Sequence, residues 1–269
     1  MCGRVSLSLK ESLLSKIVAV HSFRGGTGKS NTTANLAVLL ARVGRRVAVV
    51  DTDIHSPGIH VIFNRPAESD GHTLNDFLWG HCRIEDAAYD VTESAIGRVM
   101  AADERPRIFL IPSSIKPGEI ARALREGYDV GRLKDGFTGL IRSLHLDFLL
   151  IDTHPGVNEE TLLSIAISNL FLLILRPDSQ DFQGTAVTLE LARRLEVESI
   201  LVVLNKIPAT MDRALLREQV ETAYRSPVAG MLPLCSEMAE VASNGIFVNR
   251  HPDHPLTREL QRVADRIAE

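Results

Sequence analysis

The stretch Phe23-Arg24-Gly25-Gly26-Thr27-Gly28-Lys29-Ser30 decides how the rest of the chain is read. Before it, Ile17 to Val20 is an apolar run without polar alternation, the pattern of a strand buried on both faces. After it, Asn31 to Val43 has helical spacing, with Leu36, Ala37, Leu40 and Val43 on one face and Gly44 as the stop. A glycine-rich turn between strand and helix aims backbone N–H groups inward, and the helix adds its positive end. That is a cradle for a polyphosphate. Gly25, Gly26 and Gly28 supply the turn, and Thr27 and Asn31 belong to the same binding segment. Lys29 brings a cation to the β and γ oxygens, and Ser30 offers a hydroxyl to Mg²⁺.

Working outward, further short apolar runs occur at Val47 to Val50, Ile108 to Ile111, Phe148 to Ile151, Phe171 to Leu175 and Ile200 to Leu204. Helical patterns separate most of them, at Glu159 to Ser168, Phe182 to Leu195 and Met211 to Tyr224. This alternation predicts an α/β fold, a doubly wound and mostly parallel sheet flanked by helices, within one domain spanning residues 1–269. The segment from Asn64 to Gly97, which holds Trp79, reads as helices and loops attached to the sheet. Polar residues follow the strands directly: Asp51 and Asp53, then Asp152, then Asn205. Ligands bind at the carboxyl ends of strands in open α/β sheets, so these groups predict one site beside the cradle.

A common phosphate-loop pattern has glycine where this chain has Phe23. The loop instead resembles the deviant Walker A motif, Lys-Gly-Gly-x-Gly-Lys-[Ser/Thr], of the ParA/MinD family of ATPases. The resemblance runs from Ile17 onward and takes in several motifs in the same order. Val50-Asp51-Thr52-Asp53 looks like that family's first switch, and Ile151-Asp152-Thr153-His154-Pro155-Gly156 like its Walker B aspartate and second switch. Leu204-Asn205-Lys206 stands in the place of its adenine-reading asparagine. Each implied role has a physical basis. Asp152 can hold Mg²⁺ through water. Asp53 also stands near the metal and is the candidate to orient the attacking water, because phosphoryl transfer needs positioning and charge stabilisation. Gly156 lets an N–H approach the γ-phosphate, and Asn205 can give its amide to a purine edge. GTPases with a related Asn-Lys element place an acidic acceptor where this chain has Ile207, so ATP is the expected nucleotide. Arg24 occupies the position of the family's Lys that reaches across an ATP-sandwich dimer, and with Lys29 and Asp53 it completes the expected catalytic set. Two bland readings stay open: Asp51 and Asp53 as turn caps, and Asn205 as a turn residue. His154 falls at a variable position of the family motif.

The resemblance implies an ATPase that dimerises with ATP and acts on a client protein or assembly that nothing in the chain names. Two other readings stand beside it: a metabolic synthetase- or reductase-type enzyme on the same scaffold, and an ATP-binding scaffold that does not hydrolyse. Cys2, Cys82 and Cys235 show no CxxC spacing for a metal or cluster. A net charge of −4 argues against a surface built to coat nucleic acid. Arg193, Arg194, Arg213 and Arg217 suggest a DNA-binding stripe, diluted by Glu190, Glu196, Glu218 and Glu221, so nonspecific DNA binding is not favoured. Lys10, Glu11 and Lys16 interrupt any signal peptide, and the run from Leu170 to Leu175 is too short to span a bilayer, so a cytoplasmic protein without a transmembrane segment is expected. The last helix, with Leu256, Leu260, Val263 and Ile267 on one face, reads as core packing rather than a membrane-targeting tail. His251-Pro252-Asp253-His254 reads as a solvated turn.

Overall fold

The computed structural model describes residues 15–65, 71–97, 106–241 and 244–269. Cys2, Lys10 and Glu11 lie outside them. The chain opens with β1 (Lys16–His21), turns through the glycine-rich loop and enters α1 (Lys29–Arg42). β2 (Arg46–Asp51), β4 (Arg107–Ile111), β5 (Phe148–Asp152), β6 (Leu170–Leu175), β7 (Ser199–Ile207) and β8 (Val228–Pro233) join β1 and the short β3 (Tyr89–Asp90) in an eight-stranded sheet. Its order is β3-β4-β2-β5-β1-β6-β7-β8, and every pairing is parallel except β3 with β4. All six runs read as strands are strands.

Before β3 lie α2 (Ile59–Ile62) and α3 (Leu74–Leu78), and after it α4 (Thr92–Ile96), so the irregular stretch does combine short helices and loops. Among the parts not expected are β3, β8, and the pair α5 (Pro117–Glu126) and α6 (Val130–Ser143) between β4 and β5. β8 carries Gly230 and Pro233, which break the apolar signature of a central strand. The remaining helices are α7 (Glu159–Ala166), α8 (Ser179–Arg194), α9 (Arg213–Tyr224), α10 (Ser236–Val241), α11 (Phe247–Arg250) and α12 (Pro255–Ala268).

The pattern of α1 predicts one apolar face, yet Thr32 to Ala41 are buried on every side and Val43 is exposed. The cause is α12, whose Leu256, Leu260, Val263 and Ile267 join Leu36, Leu39 and Leu40 in one core with β1, β2 and β6. A helix between a sheet and another helix loses its solvent face. The apolar face of α12 is therefore core packing, as its sequence suggests.

β8 is an edge strand, and side chains cover its free backbone. Glu221 accepts from the Val228 N–H at 2.9 Å, and Arg217 donates to the Val228 carbonyl at 2.7 Å. Glu259 accepts from the Met231 N–H at 3.3 Å, while Arg213 donates to the Met231 carbonyl at 2.5 Å. Arg193 donates to the Tyr224 carbonyl, and Arg194 pairs with Glu190. The arginines of the imagined DNA stripe thus close an edge and a helix end, which guards against strand addition.

Candidate nucleotide site

Parallel strands carry their carboxyl ends to one edge, and the strand order reverses direction around β1. Gly28 is the N-cap of α1, with φ 92°, in the left-handed region that favours glycine. A Cβ there would also stand 2.5 Å from Asn205 Nδ2, so the position excludes side chains twice over. From this turn Lys29 points inward to Asp152: its Nζ donates to Oδ1 at 2.8 Å, and Thr33 Oγ1, whose hydroxyl reaches the Lys29 carbonyl at 3.0 Å, stands 3.2 Å from the same oxygen. Both partners are almost fully buried.

Asp51 pairs in register with Asp152 on the neighbouring strand. It accepts from the Asp53 N–H at 3.0 Å and the Gly58 N–H at 3.2 Å, so it organises the following turn. Burial, and after it the Asp152 charge, push its carboxyl up to about 8, so it is largely protonated at neutral pH. One carboxylate and one cation therefore dominate the floor: Asp152 and Lys29.

His21, which ends β1, is fully buried beside them and stacks on Phe171 at 5.8 Å. Thr153 Oγ1 spends its hydrogen on the Val20 carbonyl at 3.1 Å, so it accepts from His21 Nδ1–H at 2.7 Å. Nε2 then holds a buried lone pair without a partner among the described residues. Desolvation, reinforced by the Lys29 charge, lowers the His21 pKa to about 3.

The rim of the site is held differently. Asp53 Oδ1 accepts from His154 Nδ1 at 2.7 Å and from the Ser56 N–H at 3.1 Å. The hydrogen bond to Asp53 raises the His154 pKa against the opposing effect of burial. His55 stands edge-on to His154, with ring centroids 5.0 Å apart. Gly156, at φ 85°, donates its N–H to the Ser22 carbonyl at 3.2 Å. Asn205 Nδ2 donates to the Thr27 carbonyl at 2.8 Å, its Oδ1 accepts from the Lys206 N–H, and Lys206 Nζ donates to the Gly26 carbonyl. Asn205 thus braces the glycine-rich loop from behind. Thr27 is buried, with no partner for its hydroxyl among the described residues. Ser30 and Asn31 follow Lys29 in the first turn of α1, and the Asn31 carbonyl accepts from Asn35 at 2.7 Å.

Phe23, the residue that departs from the common loop pattern, has a seat of its own. Its ring lies where a Cβ on Gly184 of α8 would fall, 1.8 Å from Cδ1, so the loop is pinned to that helix. Arg24 follows and lies over the start of α8, 3.8 Å from Asp178 and 3.7 Å from Asp181. Asp181 is buried and already takes Arg176 Nε at 3.0 Å. In this structure the Arg24 charge is therefore met within its own chain.

The residues from 18 to 248 match the model of the CobQ/CobB/MinD/ParA nucleotide-binding domain. The chain belongs to that family. It is 27% identical over 259 residues to an ATP-binding protein of Methanocaldococcus jannaschii, covering 95% of this chain and 89% of that one. It is also 23% identical to an iron-sulfur cluster carrier protein of Saccharolobus solfataricus, covering 93% and 82% of the two chains. Its fold superposes on the septum site-determining protein MinD of Pyrococcus horikoshii, solved with Mg-ADP, at a TM-score of 0.76 and 21% identity, over 94% of this chain and 96% of that one. Nucleotide and magnesium use thus occurs within the fold family. Among the described residues, no helix is long and apolar enough to cross a membrane.

Several groups at the site escaped the sequence reading: His21, Thr33, Thr153, His55 and the Asp178/Asp181 pair. Only His21 carried a signal, as a polar residue directly after an apolar run. His251 to His254 is a turn with Pro252 and Asp253 exposed, as read, but His254 also has a structural part in it. His254 Nδ1 accepts from the Leu256 N–H at 3.1 Å and so caps α12, and its Nε2 faces Glu237 at 3.9 Å. Cys235 and Ser236 also donate to that carboxylate. This trio has metal-ligand spacing, but the cap assigns the ring proton to Nε2, so Glu237 is satisfied by donors without an ion.

Proposed function

We propose that this family member is an ATP-hydrolysing switch, in which ATP favours a homodimer that engages a client and hydrolysis to ADP and phosphate releases it. The observation that carries this reading is the buried Lys29–Asp152–Thr33 cluster under a left-handed glycine at the start of α1. The loop glycines, Thr27, Ser30 and Asn31 form the phosphate cradle, and Lys29 meets the β and γ oxygens. Ser30, Asp152 and Asp53 form an all-oxygen donor set suited to Mg²⁺. When bound, that ion neutralises charge on the phosphate oxygens. Asp53 orients the attacking water, and Arg24 turns from α8 toward the phosphates of a second copy. Asn205 faces the base, and Gly156 presents its N–H to the γ-phosphate after exchanging its present acceptor. Because Arg24 is partly exposed and its two carboxylates lie beyond 3.5 Å, releasing it costs less than about 1 kcal/mol.

The iron-sulfur carrier among the relatives raises a second reading. Cys82 packs with the core on one face of the sheet and Cys235 with the core on the other, which gives a cluster no pair of thiols among the described residues. The switch is therefore preferred. Its test is Asp53→Ala used as bait: ATP binding is retained, hydrolysis stops, and a client stays on the column with ATP but not with ADP. Unchanged turnover in Asp53→Ala would sink the assignment of the water-placing group.

A further inference from the structure

We propose that His154 is a positioning residue for hydrolysis, fixing the Asp53 carboxylate by donating to it from the loop that follows the neighbouring strand. The proposal rests on Asp53 as the water-placing group. Asp53 sits two residues beyond β2, in a loop whose own support for that side chain is the Ser56 N–H at 3.1 Å. That contact is local and moves with the loop. His154 provides the anchor from outside it, at 2.7 Å, and its backbone is well clamped. On one side, the Thr153 N–H donates to the Val20 carbonyl at 3.2 Å and its hydroxyl ties to His21 and Val20. On the other, Thr161 Oγ1 at the start of α7 donates to the His154 carbonyl at 3.3 Å.

The imidazole therefore projects from a segment fastened to the central strand, and His55 packs against its ring edge-on. A carboxylate that must hold one water in line gains from such a brace, since a misplacement of about 1 Å can cost roughly 100-fold in rate. Both hydrogen bonds fall on Oδ1, so Oδ2 is the oxygen left for water. The arrangement makes a specific demand on residue 154: an N–H at the position of Nδ1, whatever carries it. Asn reproduces that donor and carries no base.

The test is single-turnover ATP hydrolysis together with ATP affinity in His154→Ala, His154→Asn, Asp53→Ala and the double variant. His154→Ala should keep ATP affinity within about twofold, which also shows that the site is folded, while hydrolysis falls roughly tenfold or more. His154→Asn should recover to within about threefold of wild type, and adding His154→Ala to Asp53→Ala should cost nothing further, as for groups acting as a unit. His154→Ala turning over like wild type ends the proposal, as do additive losses in the double variant. A His154→Asn variant as slow as His154→Ala also ends it, because the ring itself would then be the active group. If Asp53→Ala hydrolyses like wild type, the underlying reading fails first, and the proposal falls with it.

Discussion

Lys29, Thr33 and Asp152 lie beneath the glycine-rich loop with almost no solvent contact, 2.8 and 3.2 Å apart, whereas Arg24 and Asp53 on its rim rest on groups lent by the start of α8 and by a neighbouring loop. The floor is built from adjacent strands and the first turns of one helix, so its geometry comes with the core. In that low-dielectric setting every partner is costly to remove. The rim pairs can be exchanged for phosphate, water or a second copy of the chain. The proposed switch needs both: a floor that is ready before ligand arrives, and a rim that changes partners when it does.

Breaking the floor should have the largest effect. Lys29→Ala leaves Asp152 without its cation beside Asp51, so we expect a stability loss of about 3–5 kcal/mol and an ATP affinity lower by roughly 1,000-fold or more. Calorimetric melting and equilibrium titration read the two quantities, and wild-type affinity in a folded Lys29→Ala protein would refute the loop assignment. Breaking the rim should spare the fold. Arg24→Ala is expected to bind ATP as a monomer with affinity within about threefold of wild type, and to lose ATP-dependent dimerisation and roughly 100-fold in hydrolysis together. Light scattering with ATP decides this. A variant that dimerises and turns over normally would return Arg24 to its own chain's aspartates.

The floor also contains His21, which sharpens the contrast through pH. The unfolded chain takes up this proton below its ordinary value of 6.5, while the folded protein refuses it until about pH 3. The unfolded state therefore binds more protons across that window, and stability falls as pH falls. The loss attributable to His21 is about 1 to 2 kcal/mol between pH 6.5 and 5. Urea unfolding of His21→Gln and wild type across that range should show a shallower acid slope in the variant, and parallel slopes would contradict the buried neutral tautomer. The smallest effect expected is base preference. ATP should compete about tenfold better than GTP, because Ile207 supplies no acidic acceptor for the guanine N–H groups. Equal affinities would leave Asn205 as a loop brace alone.

The glycine-rich loop, the six principal strands, Lys29 and the order of the acidic loops were legible from the chain because they depend on local properties. Apolar runs become buried parallel strands, glycines permit left-handed turns, and parallel strands deliver their ends to one edge. The partners of those residues were not legible, because they come from segments remote in sequence. Lys29 meets Asp152 across 123 residues, Asp53 meets His154 across 101, and Asn205 meets Thr27 across 178. Burial on all sides of α1 was likewise set by α12, which no periodicity within α1 announces. The sequence by itself determined the fold class and the glycine-rich turn between β1 and α1. The tertiary structure alone decided which carboxyl is pushed up by burial, which histidine is buried, and which pairs with Asp53. Those properties depend on desolvation and on distances between chain-distant groups, which exist only after the strands are laid side by side.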